Sequence, residues 1–229
     1  MKNNIILLHG ALGSKKQFEK LHDILKEKFN VYSFNFSGHG GLPIESDFNI
    51  DLFTENTKTF IEEHQLERSI IFGYSMGGYV GINVARKYPD IVNKIITLGT
   101  KFDWTPEFSK QEVSMLDPDK IAEKVPKFAK YLEVLHSDMY WRDVVLQTAK
   151  MMNDLGNSPT LEEEGIQRIQ QQVLVSVGAL DKMVTREESQ KISNALPNGE
   201  LVVIENCPHQ IERVNMEDLA KTIENFIKN

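Results

Sequence analysis

Six short apolar runs, separated by stretches of helical periodicity, constrain this chain more than any other feature. They cover residues 5–8, 31–34, 69–72, 94–98, 173–177 and 201–204. The runs are rich in β-branched residues and mostly continuous rather than alternating, which suits strands buried on both faces of a parallel sheet. Between them, Phe18, Leu21, Leu25 and Phe29 recur at helical spacing behind Ser14, a fitting N-cap. Phe53, Thr57, Phe60, Ile61 and His64 trace a second helix face, and Val80, Val84 and Tyr88 a third, closed by Pro89. Thr185-Arg186-Glu187-Glu188 has the form of a capping box opening a fourth helix. Leu219, Ile223 and Phe226 mark the last. Strands alternating with helices predict an α/β fold with a mainly parallel sheet.

The alternation lapses over residues 101–168. Only helical segments occur there, at 106–115, 118–135 (broken by Pro126), 138–155 and 161–168. We read this stretch as a helical lid inserted between two strands of an α/β core made of 1–100 and 169–229. Trp104, Met115, Met139, Trp141, Met151 and Met152 concentrate in it, either as its own small core or as an adaptable pocket lining. A chain of 229 residues with 41% hydrophobic content can bury one sizeable core and carry such an insertion.

Charge and cysteine usage narrow the function. A formal net charge of −7 with no run of like charge speaks against nucleic acid as a partner. The single cysteine, Cys207, permits no intrachain disulfide. Only four apolar residues precede His9-Gly10, too few for a signal peptide. No run reaches the roughly 18 apolar residues of a membrane span. A cytoplasmic protein without membrane insertion is expected. No Cys/His cluster has zinc spacing and the glycine loops are not phosphate loops, so neither metal nor organic cofactor is expected.

The chemistry centres on Gly73-Tyr74-Ser75-Met76-Gly77. By composition alone, G-x-S-x-G arises in a chain of this length roughly one time in ten. Its setting, a strand before and a helix after, is what a nucleophile elbow needs. Flanking glycines let neighbouring backbone approach, and the helix N-terminus favours developing negative charge. A serine nucleophile needs a base, and the base an orienter. Of six histidines, His22, His64 and His136 fall in helical patterns and read as surface or half-buried. His209 follows the last apolar run, at the sheet edge where Ser75 is expected. Asp181 follows the preceding run and is the favoured orienter, with Asp103 the competitor. Cys207 lies in no elbow and reads as packing. Backbone N–H groups after His9-Gly10, at Ala11 (Leu12 second), join that of Met76 as an oxyanion hole. His9 reads as a brace of that loop.

These motifs resemble the α/β-hydrolase superfamily. They are Leu8-His9-Gly10-Ala11-Leu12-Gly13-Ser14, Ser37-Gly38-His39-Gly40, Gly73 to Gly78, Gly178 to Asp181 and Pro208-His209, and they occur in family order over nearly the whole chain. The resemblance implies serine-hydrolase chemistry by Ser75, Asp181 and His209, a lid after the sixth strand of the family sheet, and a structural role for His39. Two departures stand out. The His-Gly loop begins at residue 9, so the family's first two strands have no sequence to come from. A six-stranded, all-parallel sheet is expected, with 31–36 at its edge beside 4–8 and the switch point between 4–8 and 69–73. The family often has Asp before its Gly-His-Gly; here the stretch is Asn35-Phe36-Ser37, which bears on loop bracing or pocket shape.

The expected substrate is a small-to-medium, largely apolar carboxylic ester or thioester. Trp104, Met139, Trp141 and Met183 are the expected pocket residues, and Arg142, Arg168 or Lys182 could meet a carboxylate. Serine at position 75 argues against the haloalkane dehalogenases and epoxide hydrolases of the superfamily, which use aspartate there. The alternatives are a C–C bond hydrolase with the same triad, a slow-turnover small-ligand receptor of the same fold, and a scaffold without catalysis.

Overall fold

A computed structural model describes residues 2–66 and 68–228. The strands are β1 (Asn4–Leu8), β2 (Asn30–Ser33), β3 (Ser69–Tyr74), β4 (Val92–Leu98), β5 (Gln172–Gly178) and β6 (Gly199–Ile204). All pairings are parallel and the order is β2-β1-β3-β4-β5-β6. This is the expected six-stranded sheet with its switch point between β1 and β3. The edge strand is shorter than expected, ending at Ser33. Beyond it the chain turns into the loop where the Asn35 side chain accepts the N–H of Lys15.

The helices are α1 (Glu19–Leu25), α2 (Ile50–Glu63), α3 (Met76–Lys87), α4 (Pro106–Val113), α5 (Pro118–Lys124), α6 (Pro126–His136), α7 (Trp141–Asn157), α8 (Glu163–Ile166), α9 (Arg186–Ala195) and α10 (Met216–Lys228). Strand residues alternate between two cores. Ile5, Leu7, Ile70 and Phe72 meet Phe18, Leu21, Leu25, Leu219, Ile223 and Phe226 on one face. Ile6, Leu8, Ile71 and Ile95 meet residues of α2, α3 and α9 on the other. Both faces are therefore covered, which is why the strand sequences are continuously apolar.

Helices α4 to α8 lie between β4 and β5. Pro106, Pro118 and Pro126 each start a helix, where a missing N–H costs nothing. Part of this insertion has its own core, built on Ile121, Leu132, Trp141 and Val145, with Leu12 packed against it. One local expectation is corrected. Thr185 caps α9 by accepting the N–H of Glu188 at 3.1 Å, but Glu188 does not reach back to close a capping box. Its carboxylate instead accepts the N–H groups of Phe102 and Asp103, each at 2.7 Å, and pairs with Lys101 at 2.6 Å. A tertiary site with three donors, one of them charged, outcompetes a single local N–H.

Candidate active site

Ser75 sits between β3 and α3 with φ +51° and ψ −116°, a strained backbone for a residue with a side chain. The surrounding packing imposes that geometry. The Ser75 N–H donates to the Leu98 carbonyl at 2.8 Å, and the Ser75 carbonyl accepts the Thr100 hydroxyl at 3.0 Å. A Cβ on Gly73 would come within 2.3 Å of the Gly77 carbonyl oxygen, and one on Gly77 within 2.0 Å of the Leu8 carbonyl oxygen. Backbone meets backbone at both points, so only glycine fits.

Asp181 and His209 come off the ends of β5 and β6 and meet at 2.8 Å, Asp181 Oδ2 to His209 Nδ1. The Asp181 side chain is 1% exposed and that of His209 14%. Asp181 Oδ1 accepts the N–H groups of Met183 (2.8 Å) and Val184 (2.9 Å), which fixes the carboxylate plane. Burial works to raise the Asp181 carboxyl, but the hydrogen bond and charge of His209 with these two N–H groups outweigh it and hold it below the ordinary carboxylate range. Asp103, the competitor, is on the surface beside Lys191.

Gly99 joins the two halves of the site. It follows Leu98, the acceptor of the Ser75 N–H, and has φ +59°. A Cβ there would lie 3.1 Å from Asp181 Oδ2 and 3.3 Å from His209 Nδ1. The acid–imidazole pair thus rests on bare backbone one residue from the strand end that holds Ser75. Among the described residues no hydrogen bond reaches the Ser75 hydroxyl.

The loop after β1 turns at Gly10 to Gly13, closed by the Gly13 N–H to the Gly10 carbonyl at 3.1 Å, with Leu12 at φ +56°. Ala11 lines the same pocket as Ser75 and Met76. Three buried histidines brace this loop. His9 Nε2 accepts the Phe36 N–H at 3.2 Å, so its Nδ1–H donates to the Gly10 carbonyl at 2.9 Å. His136 Nδ1 accepts the Gly40 N–H at 2.9 Å, so its Nε2–H donates to the Leu12 carbonyl at 3.0 Å. His39 donates Nδ1–H to the Ser37 carbonyl and packs between the other two. His136, expected at the surface or half-buried, is instead fully buried, and it ties the insertion to the loop beside Ser75.

The pocket floor is apolar, with Trp104, Met151, Met152, Leu155 and Met183 prominent. The room left inside is only about 30 Å³, so anything larger than a water molecule or two enters only if these side chains move. Of the four residues expected to line the pocket, Trp104 and Met183 do so. Met139 and Trp141 do not. Met139 is 74% exposed on the outside of the insertion, and Trp141 is 4% exposed in the insertion's own core. Their apolarity did not say which residues of the insertion face Ser75. Arg142 pairs with Asp119 on the surface, Arg168 lies beside Glu164 there, and Lys182 is exposed. The pocket's cation is Lys101, unmarked in the sequence, which also lies 4.2 Å over the Phe108 ring. Cys207 is buried packing, its thiol pushed up to about 11 by burial. Among the described residues no three His, Cys, Asp or Glu side chains gather as a metal site.

This fold and site define a class of protein, and comparison with known sequences supplies the family. Residues 3–132 match the model of the alpha/beta hydrolase fold family, and the chain belongs to it. A probable alcohol acetyltransferase of Cyberlindnera jadinii is 25% identical over an alignment covering 98% of this chain and 74% of that one. Serine hydrolase BPHL of Mus musculus is also 25% identical, over 98% of this chain and 79% of that one. Among solved structures, a thermophilic esterase from Thermogutta terrifontis superposes with a TM-score of 0.81 at 19% identity, covering all of this chain and 90% of that one. No helix among the described residues is long and apolar enough to cross a membrane.

Proposed function

We propose that the protein is a serine hydrolase acting on small-to-medium, largely apolar carboxylic esters or thioesters. One observation carries the reading: a strained Ser75 at the carboxyl edge of the sheet, with an Asp181–His209 pair held against the same strand end. His209 takes the Ser75 proton as the hydroxyl oxygen attacks the acyl carbonyl. Asp181 holds the proton on Nδ1 and stabilises the imidazolium. The N–H groups of Ala11 and Met76 receive the oxyanion, each contributing about 3–4 kcal/mol in the transition state. Collapse expels the alcohol or thiol, which takes its proton from His209. Water, deprotonated by His209, then releases the acid. The alcohol acetyltransferase relative favours one extension of the same chemistry, in which an alcohol replaces water as acyl acceptor.

The test is labelling with a fluorophosphonate probe, followed by a chain-length panel of esters and thioesters with and without added alcohol. Wild type is expected to label at Ser75, and Ser75→Ala and His209→Ala to remain unlabelled. Ester product formed at the expense of acid when alcohol is added marks acyl transfer. A folded wild type that neither labels nor turns over ester or thioester overturns the reading and favours a ligand receptor.

A further inference from the structure

Glu112 has no evident reason to be where it is. It lies on the inner face of α4, three residues after Ser109, where α4 packs on α7. Gly156 of α7 makes this approach possible, since a Cβ there would meet the Ser109 hydroxyl at 2.1 Å. A position so enclosed normally takes an apolar side chain. Glu112 is 9% exposed and lines the pocket with Ser75, yet among the described residues its carboxyl has no hydrogen-bond or ion-pair partner. Burial raises its pKa, and the charges of His209 and Lys101 act to lower it. Its oxygens are not among the fully buried polar atoms, so solvent still reaches them through the pocket, and a purely apolar substrate filling that pocket would displace this solvent without replacing it.

The local charges say what would satisfy it. Lys101 is the pocket's cation, and it is already bonded to Glu188 at 2.6 Å, with Glu188 further held by two backbone N–H groups. Asp181 is matched by His209. Glu112 is the acid left over, and its unmatched charge calls for a cation that arrives with the substrate.

We propose that Glu112 is a specificity-determining residue, and that the acyl substrate carries a protonated amine which its carboxylate binds inside the pocket. This rests on the hydrolase reading and adds the substrate's polar end to its apolar body. The methionines around the site take the methylene chain, and Glu112 takes the ammonium group. A neutral acyl chain of the same length leaves the carboxylate unmatched and binds less well.

The experiment compares methyl 5-aminopentanoate with methyl hexanoate, and methyl 6-aminohexanoate with methyl heptanoate. Wild type is compared with Glu112→Gln and Glu112→Leu, with turnover followed by pH-stat. The amine-to-neutral ratio of kcat/KM is expected to favour the amine in wild type for at least one pair and to fall about tenfold or more in Glu112→Gln, mainly through KM. In Glu112→Leu the ratio reverses, and the thermal midpoint rises because an unmatched acid leaves the interior. Equal ratios in wild type and Glu112→Gln overturn the proposal. So does a fall in midpoint in Glu112→Leu without a change in ratio, which would make Glu112 structural. Calorimetric binding of the same four esters to Ser75→Ala separates this claim from the catalytic one. Amine-selective binding that is lost on adding Glu112→Gln supports the subsite even if wild type turns over no ester. Ester turnover without amine preference keeps the hydrolase and removes the subsite.

Discussion

At the scale of single residues the site depends on what each group is denied. Ser75 is denied a relaxed backbone, and Asp181 is denied water, so its oxygens are fully committed to His209, Met183 and Val184. Asp181→Asn keeps the size of the side chain but reverses the hydrogen bond that sets the His209 tautomer. We expect kcat to fall about 10⁴-fold with an unchanged circular dichroism spectrum; a loss below about tenfold would remove Asp181 from the mechanism. The folded Asp181 pKa lies below its unfolded value near 3.8. Its stabilising contribution is therefore complete above that pH and is lost as pH falls through the lower folded value. The places of Ser75, Asp181 and His209 were legible in the sequence because each follows an apolar run that forms a strand. Glu112, in α4, and Lys101, in the loop after β4, were not legible, since neither local pattern tells which charged residue turns inward.

Elements record a contest between local and distant partners. Thr185 and Glu188 have the spelling of a capping box, but only the threonine behaves as one. Thr185→Ala is expected to cost about 1 kcal/mol in urea unfolding, the usual loss of an N-cap. Glu188→Ala is expected to cost more, about 3–5 kcal/mol, because it strands a largely buried Lys101 and two N–H groups. Equal losses would mean that Glu188 is worth no more than a cap. The junction of β3 and α3 allows less compromise still. Gly77→Ala would put a methyl group 2.0 Å from the Leu8 carbonyl oxygen, forcing β1 and α3 apart. We expect a thermal midpoint lowered by at least about 8 °C or an insoluble product; a midpoint within about 2 °C of wild type would show that the two elements separate easily.

The whole molecule has a pH dependence that no single element displays. His9, His39 and His136 form one buried group beneath the loop beside Ser75, joined by ring contacts and backbone bonds. Burial drives all three pKa values down, that of His9 to about 3 from 6.5. Between about pH 3 and 6.5 the unfolded chain therefore binds more protons than the folded one, and stability rises with pH. The contribution is complete above about pH 6.5 and is lost on acidification. Urea unfolding from pH 7.5 to 5 is expected to lose up to about 1.4 kcal/mol per pH unit for each such histidine. His136→Gln, which can keep both hydrogen bonds without titrating, is expected to reduce that slope. Stability that is flat over this range would contradict the neutral buried assignment. The acid loss should strike the loop beside Ser75 first, so activity falls with it.

The amino-acid sequence by itself determined the sheet, the strand order around its switch point, the insertion's place between β4 and β5, and the residues at the ends of β3, β5 and β6. The elements and the residues that follow them come from apolar periodicity, a property of neighbours along the chain, and the strand order comes from the family resemblance. Only the tertiary structure decided which of the insertion's residues line the pocket, what Glu188 holds, where His136 lies and why Gly99 carries no side chain. Those outcomes depend on which groups meet across separate elements. A buried charge or imidazole takes the best set of donors and acceptors within reach, and that set does not exist until the chain has folded.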